Sequence, residues 1–179
     1  MKVETFYSLK KLQEKYGIKG KPSGPFGKII QKLLALSLFE LGATNIVERS
    51  VQGADIDITL NGKKYTLEVK TTETLYITLS HENVQALLYR SYDGYQPIIA
   101  VLRLTVFTDW ILALIPKDEI PTGQILIDNL NRYRMKDLEK QLSPIFDKVV
   151  IKHFKDIFKG GEQYLKEQLR QAGIAQPDS

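Results

Sequence analysis

Cysteine is absent from the 179 residues, and histidine occurs only twice, at His81 and His153. Without thiols there can be no disulfide, no zinc–thiolate centre and no cysteine nucleophile. Two histidines cannot build a histidine-rich metal site, so the metal this chain could use is a hard cation held by oxygens. No apolar run approaches the roughly eighteen residues of a membrane span, and the N-terminus lacks a signal peptide's apolar core. The expectation is a soluble cytoplasmic protein with no membrane partner. Internal repeats and long linkers are also missing, and the length suits one domain with a core of its own.

The net charge of +4 conceals an uneven distribution. Residues 1–32 carry eight lysines against Glu4 and Glu14, and residues 33–131 carry seven basic and twelve acidic side chains. Residues 132–179 turn basic again, ten against seven. Basic ends around an acidic middle suit a polyanion gripped at its phosphates and acted on in between. Charge runs also serve simply as solvated faces.

The acidic middle has a pattern. Residues 53–72 read GADIDITLNGKKYTLEVKTT, and Asn61-Gly62 is a strong type I′ hairpin signal because both central positions need positive φ. With those two as the loop, Leu60 faces Lys63, Asp57 faces Thr66, Asp55 faces Glu68 and Gly53 faces Lys70. Facing residues share a side of the sheet and successive ones alternate. One side then carries Asp55, Asp57, Glu68 and Lys70, and the other Ile56, Ile58, Leu60, Tyr65, Leu67 and Val69. The apolar side has a core to cover. Like charges across a strand pair cost up to about 1 kcal/mol, a conflict that solvation or a divalent cation resolves; Mg²⁺ takes one or two carboxylates plus waters and phosphate oxygens. Lys70, diagonal to the acidic pair, suits a developing negative charge or an attacking hydroxide.

A short helix is expected over residues 6–16, ended by Gly17. The loop IKGKPSGPFG then opens the main helix, with Pro25 in its first turn and Phe26, Ile29, Ile30, Leu33, Leu34, Leu38 and Leu41 at helical spacing before Gly42. Lys19, Lys21 and Lys28 fall near that helix N-terminus, whose free amides favour phosphate, and are expected to touch a nucleic-acid backbone; a solvated linker is the alternative. A strand over residues 45–50 precedes the hairpin. Ser80 suits the cap of a second helix that carries Val84, Leu87 and Leu88 inward and stops near Gly94. Gln85 and Tyr89 read as its surface. Residues 98–104 and 110–115 read as short buried strands, and Pro116 and Pro121 bracket a loop. Helical spacing returns over residues 132–159, where Pro144 is expected to break it. Gly160-Gly161 reads as a hinge or cap, residues 162–171 as a last helix and the final eight residues as a frayed tail. The chain divides into a helix and basic loop (1–23), a core (24–120) and a mostly helical extension of the same domain (121–179).

An Asp on one strand and E-x-K on the next, after a tight hairpin, resembles the PD-(D/E)xK nuclease superfamily. Asp55 occupies the lone Asp position and Glu68-Val69-Lys70 the E-x-K position, while Ala54 stands where the motif's proline would be. The order GKIIQKLLALSLFELGATNIVERS, GADIDI, LEVKTT, LYITLSHENVQALLYRSYDGYQ, PIIAVLR is most similar to archaeal-type Holliday junction resolvases, over about residues 24–115. The resemblance implies a restriction-endonuclease-like α/β fold: a mixed central sheet flanked by helices, with a helical C-terminal extension. It implies hydrolysis of phosphodiester bonds in DNA with Mg²⁺, for which Mn²⁺ substitutes, and a homodimer, since two symmetric cuts need two sites. Branched DNA is one candidate substrate. Asp55 and Glu68 would hold the metal, the Val69 carbonyl would add a ligand, and Lys70 would orient or activate the attacking water. The group usually carries a glutamate on the first helix at the position Gln31 occupies here. Gln31 could position water without adding charge, and Asp57 could supply the missing carboxylate. The alternatives are a restriction-type, repair or mobile-element nuclease with another DNA substrate, and a non-catalytic DNA-binding relative.

Overall fold

Asn61 and Gly62 take φ of 51° and 75°, the left-handed pair that a type I′ turn requires. The hairpin accordingly closes in the expected register, with Leu60 opposite Lys63, Asp57 opposite Thr66 and Ile56 opposite Leu67. The computed structural model describes residues 1–49, 53–105 and 108–177. In chain order these form α1 (Val3–Tyr16), α2 (Pro25–Glu40), β1 (Thr44–Glu48), β2 (Ile56–Leu60), β3 (Lys63–Thr72), β4 (Tyr76–Leu79), α3 (His81–Tyr92), β5 (Gln96–Arg103), β6 (Trp110–Leu114), β7 (Gly123–Leu126) and α4 (Lys136–Gln171). The strand expected over residues 45–50 is β1; Ser50 lies outside the described residues.

The main sheet runs β1-β2-β3-β5-β6. It is mixed, because β3 and β5 pair in parallel across the α3 crossover while its other neighbours are antiparallel. Ile56, Ile58, Leu60, Tyr65 and Leu67 face a core shared with α1, α2 and α4, including Leu9, Phe26, Leu33 and Phe146. On the opposite side, Ile99, Val101, Ala113 and Ile115 pack with Val84 and the half-buried Leu88 of α3 and with Ile77, Leu79 and Ile125 of a small β4–β7 sheet. The β2–β3 part of that second side is polar but buried: Asp57, Thr66 and Glu68 all lie out of solvent. Among the described residues no helix is long and apolar enough to cross a membrane.

Two expectations fail, and one strand was not foreseen. Pro144 sits inside α4 without breaking it. It forfeits the hydrogen bond to the Lys140 carbonyl, a loss of roughly 3 kcal/mol in a free helix, but Leu142, Phe146, Val149 and Val150 are buried on both sides of it and hold the helix in place. The tail is docked as far as residue 177, its last two residues lying outside the described ones: the Ala175 amide donates to the Ile46 carbonyl, the Glu48 amide donates to the Ala175 carbonyl, and Ile174 is buried. The stretch beyond Pro121 contains β7, paired antiparallel with β4, where no strand was expected.

The hinge is at Gly161, where φ is 59° and ψ −145°. The Tyr16 hydroxyl reaches the Ile157 and Phe158 carbonyls at 3.0 and 2.9 Å, bonding the helix end that the kink exposes. A Cβ on residue 161 would come within 3.2 Å of the Tyr16 ring. Gly161→Ala is therefore expected to destabilise the protein by about 2 kcal/mol in urea unfolding, from left-handed strain plus this contact.

His153 on α4 is buried and hydrogen-bonds through Nδ1 to the Tyr164 hydroxyl at 2.7 Å. Burial, then the nearby Lys152, pushes its pKa below the ordinary histidine value. The unfolded chain therefore binds the proton more readily, so this contribution is complete above about pH 6.5 and is lost as pH falls towards the folded pKa. The wild-type stability curve is expected to drop more steeply between pH 7 and 5 than that of His153→Gln, measured by urea unfolding at each pH.

Candidate active site

The polar half of the sheet's second side is where the sequence-selected residues meet. Glu68 and Lys70 are two apart on β3 and point the same way; Lys70 Nζ lies 2.8 Å from Glu68 Oε1. Asp55 immediately precedes β2, and its Oδ2 accepts a hydrogen bond from the Val69 amide at 2.7 Å. The Val69 amide thus ties the lone Asp to the E-x-K strand. Burial first, and the Glu68 carboxylate second, hold the Asp55 pKa well above the usual aspartate range. Burial also raises Glu68, with Lys70 pulling the other way. One lysine does not neutralise the pair. Glu68 Oε2 is buried with no hydrogen-bond partner.

Lys70 has a second partner. Ser80 and Asn83 form a reciprocal cap on α3, each side chain bonded to the other's backbone amide. The Asn83 Oδ1 that accepts from the Ser80 amide also accepts from Lys70 Nζ at 2.9 Å. Ser80 was legible as a cap; Asn83 as a lysine holder was not. The Ser-x-x-Asn spacing was its only signal. Beyond Lys70, a cavity of about 280 Å³ opens, lined by Thr71, Thr72, Thr74, Tyr76 and Gln124 among others.

Asp57 lies on the same side but has other company. The guanidinium groups of Arg49 and Arg90 each approach its Oδ2 at 2.8 Å. Arg90 is held further by Asp93 at 2.6 Å and lies over the Tyr95 ring at 4.0 Å. Gln31, from α2, reaches the rim: its Nε2 is 2.7 Å from Glu48 Oε1, 2.5 Å from the Arg49 carbonyl and 3.2 Å from the Asp55 carbonyl. Lys19 and Lys21 are exposed and Lys28 is half-buried around the α2 N-terminus. That terminus has no side-chain cap and no acidic residue in its first turn. Gln85 and Tyr89 stand exposed on α3, as expected.

Among the described residues no group of three or more Asp, Glu, His or Cys side chains is placed to hold one metal ion. The local donors are two carboxylates, one with a bare buried oxygen. An oxygen-only set of this kind fits a hard divalent cation that keeps most of its waters.

No family model matches the chain, and no curated protein matches it in sequence. Among solved structures, the fold is similar to that of Hjc, a Holliday junction resolvase from the archaeal hyperthermophile Archaeoglobus fulgidus. The likeness has a TM-score of 0.50 at 16% sequence identity and covers 64% of this chain and 95% of that one. The fold is thus a restriction-endonuclease-like mixed sheet flanked by helices, with a long C-terminal helix.

Proposed function

We propose that this protein is a divalent-cation-dependent DNA endonuclease of the PD-(D/E)xK kind, with a resolvase-like preference for branched DNA. The observation that carries the reading is the convergence of Asp55, Glu68 and Lys70 at one end of the β2–β3 hairpin. The two carboxylates have raised pKa values, and the lysine is held between Glu68 and Asn83. Stability alone does not favour a buried and a half-buried carboxylate set around one lysine. A resolvase fold supports the same reading by analogy.

Asp55 and Glu68, with the Val69 carbonyl, would hold Mg²⁺ or Mn²⁺, which when bound supplies charge stabilisation at a phosphoryl oxygen and a more acidic water. Lys70 keeps one end in the site, where its ammonium can orient a water and offset charge developing on the phosphate. Asn83 fixes the lysine's direction. Asp57 anchors Arg49 and Arg90. Lys19, Lys21 and Lys28, with the open amides of α2, grip the DNA backbone. The acting assembly is a homodimer.

The test is cleavage of a labelled four-way junction and a matched linear duplex with Mg²⁺, Mn²⁺ or EDTA, alongside Glu68→Ala. Metal-dependent symmetric junction cuts, lost in the variant, are the expected result. Cutting of the duplex alone keeps the site and moves the substrate. Tight DNA binding without cutting under any metal would sink the enzyme reading.

A further inference from the structure

Glu48, on β1, has no part in the roles assigned above. Its side chain is 1% exposed. Oε1 accepts from Gln31 Nε2 at 2.7 Å and from Lys32 Nζ at 2.9 Å, and Lys32 is shared with Glu162 of α4 at 3.2 Å. Oε2 is buried and has no hydrogen-bond partner. A buried carboxylate oxygen with nothing on it is costly, and native proteins meet such atoms with a ligand or an ordered water.

The position of Glu48 says which ligand. Its pairing with Ile56 puts it on the α2 side of the sheet, whereas Asp55 lies just before β2, at the sheet's end. The two meet around that end. The Arg49 amide donates to the Asp55 carbonyl, and Gln31 Nε2 touches both that carbonyl and Glu48 Oε1. The Glu48 charge is among those acting on Asp55. Gln31 faces three acceptor oxygens, Glu48 Oε1 and the Arg49 and Asp55 carbonyls. A carboxylate there would have no proton to give, so the helix position calls for an amide, and the acid stands one step away on β1.

Building on the proposed cation site, we infer that Glu48 is its third carboxylate: the free Oε2 receives a water bound to the cation at Asp55 and Glu68. The contact runs through water because no three acids of the described residues are placed to share one ion. Glu48 is thus a positioning residue, held by Gln31 and Lys32.

Calorimetric titration of the full chain with Mn²⁺, without DNA, tests this. The variants are Asp55→Asn, Glu48→Gln, Glu48→Asp and Glu162→Gln, each checked for folding by thermal melting. Wild type is expected to bind Mn²⁺ in an Asp55-dependent way, and Glu48→Gln to bind about tenfold more weakly. Glu48→Asp keeps the charge opposite Lys32, and so the fold, but withdraws the oxygen; it is expected to weaken binding several-fold. Glu162→Gln loosens Lys32 from the far side and is expected to bind as wild type does. Wild-type affinity in both Glu48 variants would make Glu48 a counter-ion for Lys32 and overturn the inference. An equal loss in Glu162→Gln would also overturn it, by assigning the effect to Lys32. If wild type shows no Asp55-dependent binding, the cation site itself fails and this inference fails with it.

Discussion

Lys70→Met is expected to lower the cleavage rate by about 10²–10³-fold while leaving DNA binding in EDTA close to wild type. Methionine matches the length of the lysine stem and removes only its charge and donors. The ammonium is 2.8 Å from Glu68 and 2.9 Å from Asn83, and its side chain retains some exposure towards the site. Two losses combine in the variant. The positive charge that would face the reacting phosphate is gone. Glu68, already raised by burial, also loses the one group pulling it down, so it spends more time protonated and becomes a poorer cation holder. Added Mn²⁺ should therefore recover part of the rate at high concentration, as measured by single-turnover cleavage across a metal titration. Lys70→Arg keeps the charge, but its planar fork does not reproduce the single-point contact with the Asn83 cap. It should retain an intermediate rate. A wild-type rate in Lys70→Met would reduce the lysine to a counter-ion of Glu68.

Asp57→Asn is expected to cost about 3–5 kcal/mol in urea unfolding, measured in EDTA. The carboxylate is completely buried and faces two guanidinium groups at 2.8 Å each. Neutralising it leaves two like charges close together with no shared anion. Water reaches both arginines partially, which places the expected loss towards the lower end of that range. Asp93 keeps hold of Arg90, whereas Arg49 has Asp57 as its one carboxylate partner among the described ion pairs. Carrying out the measurement in EDTA separates this role from metal binding. A loss seen only in metal-loaded protein would make Asp57 a ligand instead.

Much of the site could be read along the chain because its signals are local. The Asn61-Gly62 turn and the two-residue alternation fix which side chains share a face, and that arithmetic alone groups Glu68 with Lys70 and places Asp55 beside them. Ser80 could be read as a cap because capping is a contact between residues three apart. The helix from Pro25 announces itself by apolar spacing.

Partner choice within the site was not legible, because it depends on packing between distant segments. Asp57 shares a face with Asp55 and read as a candidate for the missing carboxylate, and only the approach of α3 and the β1 end gives it two arginines. Gln31 read as a missing acid until α2 packed against β1 and placed its amide among three oxygens. Pro144 kept its helix because buried neighbours outweigh one lost hydrogen bond. The sequence by itself determined the hairpin, the polar face and the grouping of Asp55, Glu68 and Lys70, all set by backbone geometry over a few residues. Tertiary structure alone decided which cations meet the buried carboxylates, Arg49 and Arg90 at Asp57 and Lys32 at Glu48, because those partners arrive from distant segments.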